Sequence, residues 1–386
     1  MRSIGDMQQK IIHLVLGKAN PNRMNGVNKV AHNHATYLHK IGKDVEIWGI
    51  TKTPNGDVIP RAFPTRLFRL QPFYRDLDPA LLYALHHLPK NTIFHIHGAF
   101  IADFYKLTRE LNFRKIPYVY TPHGSFNEIA LEKSKWIKKL YIQRYEKTML
   151  RDAKWVHLLG QSEYDNLGKI VKLDNRVVVP NGQNFDELHF DFHKMVRRNS
   201  PVFGFCGRLD IFYKGLDYLI DGFAGYMQKG GTGDLWLIGD GPDRAELEKR
   251  VLDNNCKDRV VFMGAHYGKD KLNRIANMNL FCHPSRSEGS PTAVLEAAAL
   301  KRPLLVSTAT NVGTLVEQRG AGIHIKKLDA EHIEKAMLTF DKQFAEGVHL
   351  AMGDKAQQLI REEFDWMKII GQLEKIYEMP GPTKRK

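Results

Sequence analysis

The chain has 386 residues, of which 43% are hydrophobic and 26% are charged, and its formal net charge at pH 7 is +14. This length predicts two domains, and the ordinary hydrophobic content excludes a chain that is disordered throughout. No apolar run approaches the roughly 20 residues that a helix needs to cross a bilayer. The positive charge requires an anionic partner, which nucleic acid, an anionic membrane surface or an acidic substrate would each provide.

Short β-branched runs alternate with helix-like segments along most of the chain. The first series of predicted strands covers residues 11–16, 45–50, 92–96, 118–121, 155–159 and 177–179, and the second covers 202–206, 235–238, 260–263, 280–282, 304–307 and 322–325. Strands separated by about 10 to 20 residues of helical pattern form parallel sheets. We therefore predict two Rossmann-like domains joined by a linker at 181–200, followed by helices at 330–344, 350–364 and 366–379.

The N-terminus and the cysteines predict the compartment. Residues 1–10 are polar and lack the charged-then-apolar pattern of a secretory signal. Cys206, Cys256 and Cys282 show neither a Cys-x-x-Cys motif nor the spacing of metal ligands, so we expect buried thiols in a reducing compartment. Both observations predict a cytoplasmic protein.

The stretch 281–296 reads as an apolar strand, a tight polar loop and a helix that opens with Ser290 as its cap and Pro291 in its first position. A helix N-terminus presents unpaired N–H groups and a partial positive charge, which suit a phosphate. Glu288 lies in the loop, and Glu296 lies roughly 8 Å further on at ~1.5 Å per residue. Two carboxylates that accept hydrogen bonds from hydroxyls indicate a site for a nucleotide-linked sugar. An ordinary capped strand–helix unit with a solvated glutamate is the alternative.

Two cations follow the first strand of the second series. Arg208 and Lys214 lie beyond the strand 202–206, at the carboxyl edge where open α/β sheets bind ligands. They would neutralise a diphosphate, the arginine through a forked contact and the lysine as a point charge; two solvated surface charges are the alternative. The next strand ends in the glycine turn Gly239-Asp240-Gly241-Pro242, which fits either a nucleotide contact or a plain turn.

The first domain contributes histidines and a glycine near strand ends. His123 follows the strand 118–121, and His95 and His97 share one face of another strand. A His-x-His pair can bind zinc, but no third or fourth ligand of suitable spacing is evident, so we predict core or cleft histidines and no metal site. Gly26 follows a loop without Gly-x-Gly-x-x-Gly, which argues against an NAD site and a dehydrogenase.

An acidic pair in the first domain needs its own explanation. Asp76-Leu77-Asp78 resembles the Asp-x-Asp metal clamp of another transferase architecture. Asp78, however, precedes Pro79 and an apolar helical run, so we predict a helix cap there and no metal ligand.

The segment 133–154 mixes many basic residues with Trp136 and Tyr141 on a predicted helix. This composition is typical of a helix at the surface of an anionic membrane. A solvated basic helix whose aromatic side chains lie in the core is the alternative.

The motifs occur in a fixed order at strand ends: Arg208 with Lys214, the turn at 239–242, then Glu288 with Glu296 eight positions later. With Asn181-Gly182 at the domain junction and a closing helix that contains Trp366, the chain resembles the retaining glycosyltransferases of family 4, of the bacterial cell-surface polysaccharide and lipopolysaccharide type. This resemblance covers nearly the whole chain. It implies the α/β fold called GT-B, in which two Rossmann-like domains with parallel sheets face each other across a cleft.

The resemblance implies an acceptor-binding domain at 1–185, a donor-binding domain at 200–362, and a helix at 363–380 that crosses back to the first domain. Arg208 and Lys214 would hold the donor diphosphate and stabilise the leaving group, as a metal ion does elsewhere. Glu288 would bind the hydroxyls of the transferred sugar, Glu296 would bind the ribose, and His123 would lie near the reacting centre. The other donor-binding positions implied are Gly26, Gly239, Gly241, Gly289, Ser290 and Pro291, although Ser290 replaces an aromatic residue that is frequent in the family.

The implied enzyme is a hexosyltransferase that moves a hexose from a nucleoside diphosphate sugar to a glycan or lipid-linked glycan with retention at the anomeric carbon. A UDP-sugar is favoured because such donors are common, and neither a metal ion nor another cofactor is expected. The basic first domain would then dock at the inner face of the cytoplasmic membrane, and no nucleic acid partner is expected.

Two alternatives remain from the residues alone. A nucleotide-sugar epimerase or hydrolase of the same architecture would release nucleotide without an acceptor. A basic nucleic-acid-binding protein would explain the charge, but it leaves the ordered strand-end motifs unexplained, and the sequence has no zinc finger, helix-turn-helix signature or aromatic RNA platform.

Overall fold

The computed structural model describes residues 8–20, 26–56, 59–72, 75–132, 134–183, 198–289 and 291–382. The strands are β1 (Lys10–Leu16), β2 (Asp44–Thr51), β3 (Thr65–Arg69), β4 (Thr92–His97), β5 (Tyr118–Thr121), β6 (Trp155–Leu158), β7 (Arg176–Val178), β8 (Val202–Cys206), β9 (Asp234–Ile238), β10 (Val260–Gly264), β11 (Leu280–His283), β12 (Leu304–Ser307) and β13 (Gly322–Ile325). The α-helices are α1 (Gly26–Lys40), α2 (Pro79–His86), α3 (Ala102–Phe113), α4 (Glu128–Glu132), α5 (Lys135–Tyr141), α6 (Lys147–Asp152), α7 (Gln161–Ile170), α8 (Ile211–Lys214), α9 (Leu216–Gln228), α10 (Arg244–Asp253), α11 (Gly268–Ala276), α12 (Thr292–Ala299), α13 (Gly313–Arg319), α14 (Ala330–Ala345), α15 (Val348–Glu363) and α16 (Trp366–Glu378).

The chain divides into two compact units. Unit 1 consists of Met1–Asn181 together with Met367–Lys386, and unit 2 consists of Gly182–Trp366. Unit 1 contains a seven-stranded sheet of order β3-β2-β1-β4-β5-β6-β7, and unit 2 contains a six-stranded sheet of order β10-β9-β8-β11-β12-β13. The strands of both sheets pair in parallel, and helices connect most successive strands.

Each sheet is covered on both faces, so its central strands are almost continuously buried. All residues of β4, β8 and β12 are buried, as parallel strands between helices require. The covering helices present apolar residues at helical spacing; on α9 these are Leu216, Leu219, Ile220 and Phe223. The order of the strands reverses between β1 and β4 in unit 1, and between β8 and β11 in unit 2. The crevices beyond the carboxyl ends of such strands are where open α/β folds bind ligands.

The predicted α/β fold class is confirmed. Every strand predicted from sequence is present, with ends that differ by one residue at most, and the three closing helices are α14, α15 and α16. β3 was not predicted, because this edge strand is only partly buried, contains Arg66 and Arg69 within five residues and follows directly on Pro64. The thiols of Cys206, Cys256 and Cys282 are buried and free, as expected.

Helix length in the described residues also bears on membrane topology. None of their helices is both long and apolar enough to traverse a lipid bilayer.

Candidate functional site

The loops after β8 and β11 flank the reversal point of the sheet in unit 2. The first loop contains Arg208 and leads through α8 to Lys214, and the second contains Glu288. Three of the residues predicted from sequence therefore lie at the one edge of this sheet where a ligand is expected.

Glu288 is a largely buried carboxylate with three donors on one oxygen. Its Oε2 lies 2.5 Å from Lys214 Nζ, 3.2 Å from His283 Nε2 and 3.2 Å from Ser285 Oγ. Burial raises the pKa of Glu288, but the charge of Lys214 and the hydrogen bond from His283 outweigh it, and the pKa falls to about 2. Glu288 is therefore ionised at neutral pH and accepts hydrogen bonds only.

The contact between Lys214 and Glu288 depends on a glycine. Asp210 caps α8 by accepting a hydrogen bond from the Tyr213 N–H at 3.0 Å, and the helix ends at Gly215 with φ +64°. A Cβ atom at Gly215 would lie 2.2 Å from the carbonyl oxygen of Pro284. Only glycine allows the two loops to approach so closely, and this approach brings Lys214 to Glu288.

Arg286 fixes the loop of Glu288 to α8 and α9. Its guanidinium makes a forked ion pair with Asp217, with N–O distances of 2.8 and 2.5 Å, and donates to the Ile211 carbonyl at 2.7 Å. It also lies 4.1 Å from the centroid of the Tyr218 ring. Sequence reasoning missed this residue, since an arginine beside Glu288 carries no signal that distinguishes a structural ion pair from a solvated charge.

Arg208 differs from its neighbours in having an exposed side chain. Within the described part of the chain, no carboxylate lies within ion-pair distance of its guanidinium. Lys214 donates to Glu288, and the exposed guanidinium of Arg208 is accessible to an anionic ligand.

Glu296 lies on α12 with its carboxylate buried against a lysine. Lys271 Nζ is 2.8 Å from its Oε1 and 2.6 Å from its Oε2. The sequence predicted a carboxylate that accepts hydroxyls and did not identify Lys271 as its partner. A ribose at Glu296 would have to share the carboxylate with this ammonium group.

Gly239 and Gly241 are required by the packing of two loops. A Cβ atom at Gly239 would lie 1.8 Å from the Gly207 carbonyl oxygen, and one at Gly241 would lie 2.2 Å from the Leu209 carbonyl oxygen. The loop after β9 therefore lies directly on the loop that contains Arg208. Loop packing is therefore sufficient to explain both glycines, as the alternative of a plain turn requires. A nucleotide contact at these glycines stays a prediction.

The start of α12 differs from the sequence prediction. The helix begins at Thr292, and Pro291, predicted as its first residue, is instead the cap residue with ψ 72°, whose carbonyl accepts from the Val294 N–H at 2.9 Å. Gly289 is partly buried in the preceding loop, whereas Ser290, predicted as the cap, lies outside the described residues. Gly26 is the exposed first residue of α1, and no atom of the described residues lies within 4 Å of the position that a Cβ atom would take there.

Unit 1 contains the remaining predicted site residue. His123 lies just beyond β5, is partly exposed and has φ +55°, a backbone conformation that is uncommon for residues other than glycine. Its Nε2 lies 3.0 Å from Nδ1 of His97. Strained backbone of this kind concentrates at functional sites, which supports a role for this turn.

His123 adjoins a cluster of buried histidines, in which His13, His34, His95 and His97 each place a ring nitrogen within 4.8 Å of the others. The sequence showed no third or fourth ligand of suitable spacing for the His95–His97 pair, but the fold brings His13 and His34 to it. His13 is the register partner of His95 on β1, and His34 is buried on α1. The pairing of β1 with β4 creates the cluster, and no local spacing reveals it.

This cluster has the donor set of a transition-metal site, because burial lowers the pKa of each ring and keeps it neutral. Ring nitrogens of His13, His95 and His97, however, already bond within the protein: His13 Nδ1 to His97 Nε2, and His95 to Thr121 at 2.7 Å and Tyr377 at 2.6 Å. Among the described residues no carboxylate pairs with these three histidines to offset a divalent charge. The geometry therefore favours a hydrogen-bonded network.

Asp78 acts as the predicted helix cap. Its Oδ1 accepts from the Ala80 N–H at 2.9 Å, and its Oδ2 accepts from the Arg69 N–H at 2.6 Å. Both oxygens are used by the backbone, so the Asp-x-Asp resemblance has a structural explanation.

Two family profiles match the chain. Residues 24–187 match the family described as Glycosyltransferase Family 4, and residues 200–341 match the family described as Glycosyl transferases group 1. Most of the 184–197 segment, which lies outside the described residues, falls between the two matches.

Curated relatives align over parts of their length. The alpha-D-kanosaminyltransferase of Streptomyces kanamyceticus is 30% identical over 125 residues, which is 32% of each chain. The capsular polysaccharide biosynthesis glycosyltransferase CapM of Staphylococcus aureus is 25% identical over 276 residues, 67% of this chain and 69% of the relative.

Solved structures share the fold over nearly the whole chain. Sucrose-phosphate synthase of Thermosynechococcus elongatus superposes with a TM-score of 0.75 at 19% identity and covers 96% of this chain and 98% of that chain. HepE of Anabaena, solved with UDP and glucose, superposes with a TM-score of 0.70 at 16% identity and covers 95% and 98%.

The sheets, the strand-end loops and these matches define a glycosyltransferase of GT-B architecture. The chain belongs to the family 4 type of these enzymes. The resemblance inferred from sequence is therefore confirmed, and the nucleic-acid-binding and epimerase or hydrolase alternatives are not favoured.

Proposed function

We propose that this protein transfers a hexose from a nucleoside diphosphate sugar, with a UDP-sugar favoured, to a glycan or lipid-linked glycan acceptor, with retention at the anomeric carbon. The supporting observation is the Lys214–Glu288 pair beside the exposed Arg208, at the reversal point of the unit 2 sheet. Its neighbour in fold, HepE, was solved with UDP and glucose, which fits a donor of this class.

The proposed roles follow from charge and accessibility. Arg208 and Lys214 bind the diphosphate, whose negative charge grows on the leaving group as the glycosidic bond breaks. Glu288 accepts hydrogen bonds from hydroxyls of the sugar, because it stays ionised at neutral pH. Lys214 contacts Glu288 and therefore links the phosphate and sugar parts of the same donor.

Two cations at the diphosphate give a means of charge stabilisation without a metal ion, and we propose that transfer is metal-independent. The other acidic pair considered from sequence is not available as a clamp, because Asp78 caps α2. Donor turnover should survive EDTA treatment; loss of turnover that Mg²⁺ or Mn²⁺ restores would contradict metal independence.

Donor binding is the first test. Calorimetry with UDP-glucose, UDP-galactose, UDP-GlcNAc and GDP-mannose should identify one donor that binds the wild type and binds Glu288→Gln at least tenfold more weakly, about 1.4 kcal/mol. Glu346→Gln, on an exposed side chain of unit 2, is the matched control and should bind normally. Binding of no donor by folded protein would contradict the proposal.

The fate of the donor distinguishes transfer from the alternatives. A transferase should consume its donor slowly until an acceptor glycan is added, whereas a hydrolase or epimerase would convert it alone. The anomeric proton coupling of the product, measured by NMR, reports retention or inversion directly.

We also propose that unit 1 docks on the inner face of the cytoplasmic membrane through α5. Trp136, Ile137 and Leu140 are 78%, 73% and 72% exposed, so the alternative that the tryptophan lies in the core is wrong. Lys139 lies 5.6 Å from the Trp136 ring centroid, and further lysines of α5 surround the apolar side chains. Apolar side chains framed by lysines suit an anionic bilayer surface, as does the net charge of +14.

Flotation with vesicles tests this docking. The protein should float with vesicles that contain anionic phospholipid at low salt and remain below with neutral vesicles. Trp136→Ser combined with Leu140→Ser should reduce flotation severalfold, while Leu252→Ser, an exposed leucine of unit 2, should not. Absence of flotation at low salt would remove the proposal without affecting the donor site.

A further inference from the structure

Three histidines of unit 1 form a continuous hydrogen-bonded chain. His123 Nε2 lies 3.0 Å from His97 Nδ1, and His97 Nε2 lies 2.9 Å from His13 Nδ1. His97 and His13 are fully buried on the neighbouring strands β4 and β1, and only His123 is partly exposed. The chain therefore runs from the turn after β5 into the core of the sheet.

Each ring in this chain holds one proton at neutral pH. Burial lowers the pKa of His13 and of His123 to about 3 and lowers the pKa of His97 well below its ordinary value. A bond between two neutral imidazoles needs one N–H and one lone pair. Two arrangements satisfy both bonds: either all three rings are protonated on Nδ1, or all three are protonated on Nε2.

The buried end of the chain distinguishes the two arrangements. Among the described residues, His13 Nε2 is buried and has no hydrogen-bond partner. Protonation of this nitrogen would leave a buried N–H without an acceptor, which is rarer in proteins than a buried lone pair without a donor. The arrangement with all three protons on Nδ1 avoids that orphan donor.

We propose that His13 and His97 act as positioning residues that hold His123 in its Nδ1–H tautomer. His13 Nδ1–H donates to His97 Nε2, and His97 Nδ1–H donates to His123 Nε2. His123 then presents an N–H donor at its remaining nitrogen and has no free lone pair with which to act as a base.

The consequence for chemistry rests on the proposed function. An Nδ1–H group is suited to an oxygen of a bound substrate, and it stabilises negative charge that develops there. The proton of the acceptor hydroxyl must then pass to another base, such as an oxygen of the leaving phosphate. His123 contributes a fixed hydrogen bond and accepts no proton.

The tautomer of His123 can be measured on the full-length protein without any substrate. Protein labelled with ¹⁵N-histidine is examined at pH 7 by two-bond ¹⁵N–¹H correlation, with His123→Gln to assign the signal. We expect a protonated Nδ1 and an unprotonated Nε2 for His123. An Nε2–H tautomer, a mixture of tautomers, or a transition metal bound at His13 or His97 would overturn the proposal.

Variants of His13, at the buried end of the histidine chain, test whether this residue sets the tautomer of His123. His13→Asn keeps an N–H donor near the position of Nδ1 and should preserve the tautomer of His123. In His13→Asp the ionised carboxylate only accepts, so His97 must donate from Nε2 and His123 should shift towards the Nε2–H tautomer. His157→Asn is the matched buried control. His157 bonds to Thr121 and to the Val179 carbonyl and is not one of the three hydrogen-bonded histidines. An unchanged tautomer of His123 in a folded His13→Asp variant would show that His13 does not set it, and would overturn the proposal. Since no donor sugar is used, these results are independent of whether the proposed function is correct.

Discussion

Gly215 and Pro284 lie in contact across the two loops of the candidate donor site, where a Cβ atom on Gly215 would approach the Pro284 carbonyl oxygen to 2.2 Å. Gly215 also has φ +64°, so a side chain there would be strained by the backbone as well as by the contact. The contact between Lys214 and Glu288 therefore depends on glycine at position 215.

Gly215→Ala should therefore weaken donor binding by tenfold or more and lower stability by more than the roughly 1–2 kcal/mol of a left-handed residue with a side chain. Gly230→Ala is the matched control, because Gly230 has φ +87° but nothing within 4 Å of its Cβ position. It should lose stability only and bind the donor normally. Equal donor binding by both variants, measured by calorimetry beside urea unfolding, would contradict this account of the loops.

Lys214→Met should change how stability depends on pH. The folded-state pKa of Glu288, about 2, is below the ordinary value of 4.5, so the pair stabilises the fold above pH 4.5 and loses this effect as the pH falls towards 2. The shift corresponds to about 3 kcal/mol at most. The stability difference between wild type and variant should be large at pH 6 and small at pH 3 in urea unfolding. A difference that does not vary with pH would show that Lys214 does not stabilise the ionised form.

Glu146 should give the fold the opposite dependence of stability on pH. Burial raises its pKa to about 7, although the Tyr120 hydroxyl and the Phe100 N–H both donate to it at 2.7 Å. The folded state therefore keeps a proton that the unfolded chain releases, and wild-type stability falls by up to about 3 kcal/mol as the pH rises from 4.5 to 7.

Glu146→Gln removes this titration, so the stability of the variant relative to wild type should increase between pH 5 and pH 8. Glu132→Gln, on an exposed side chain of the same unit, should not show this change. Parallel pH profiles for wild type and Glu146→Gln would contradict a raised pKa.

Two substitutions of His123 test whether its side chain donates or accepts a hydrogen bond during the reaction. Asparagine places an N–H near the position of Nδ1, whereas aspartate offers only oxygens that accept. His123→Asn should therefore retain at least tenfold more transfer activity than His123→Asp, with similar donor affinity for both. Higher activity in His123→Asp would mean that the reaction needs an acceptor or base at this position.

Gly26→Ala distinguishes a role of Gly26 in substrate binding from a role in folding. The Cβ position of Gly26 is open, and alanine is the better residue within a helix, so stability should be unchanged or raised by up to about 1 kcal/mol. A loss of transfer activity with normal stability would place Gly26 close to a substrate. Normal activity would remove Gly26 from the predicted donor-binding residues.

The sequence predicted the strands and the positions of Arg208, Lys214 and Glu288 because both depend on local pattern. Buried parallel strands are short apolar runs, and the residues that follow them lie at one edge of the sheet. The partially buried β3 lacked such a pattern.

Contacts between distant segments could not be predicted. The pairing of Arg286 with Asp217 and of Lys271 with Glu296 joins residues 69 and 25 positions apart. The histidine cluster likewise depends on the pairing of β1 with β4, which brings His13 beside His95. In each case the residue types are visible in the sequence, but the distance that gives them their role is set by the fold.

The hydrogen bond from His95 to Tyr377 spans 282 positions of the chain and lies within unit 1. A ribosome that adds about 5–20 residues per second completes His95 on the order of tens of seconds before Tyr377 emerges. During that time the histidine layer lacks α16, including the buried Ile369, Leu373 and Ile376. The first unit to be synthesised is thus the last to be completed, and premature termination before α16 would leave a nascent chain whose polar core is open to chaperones and proteases.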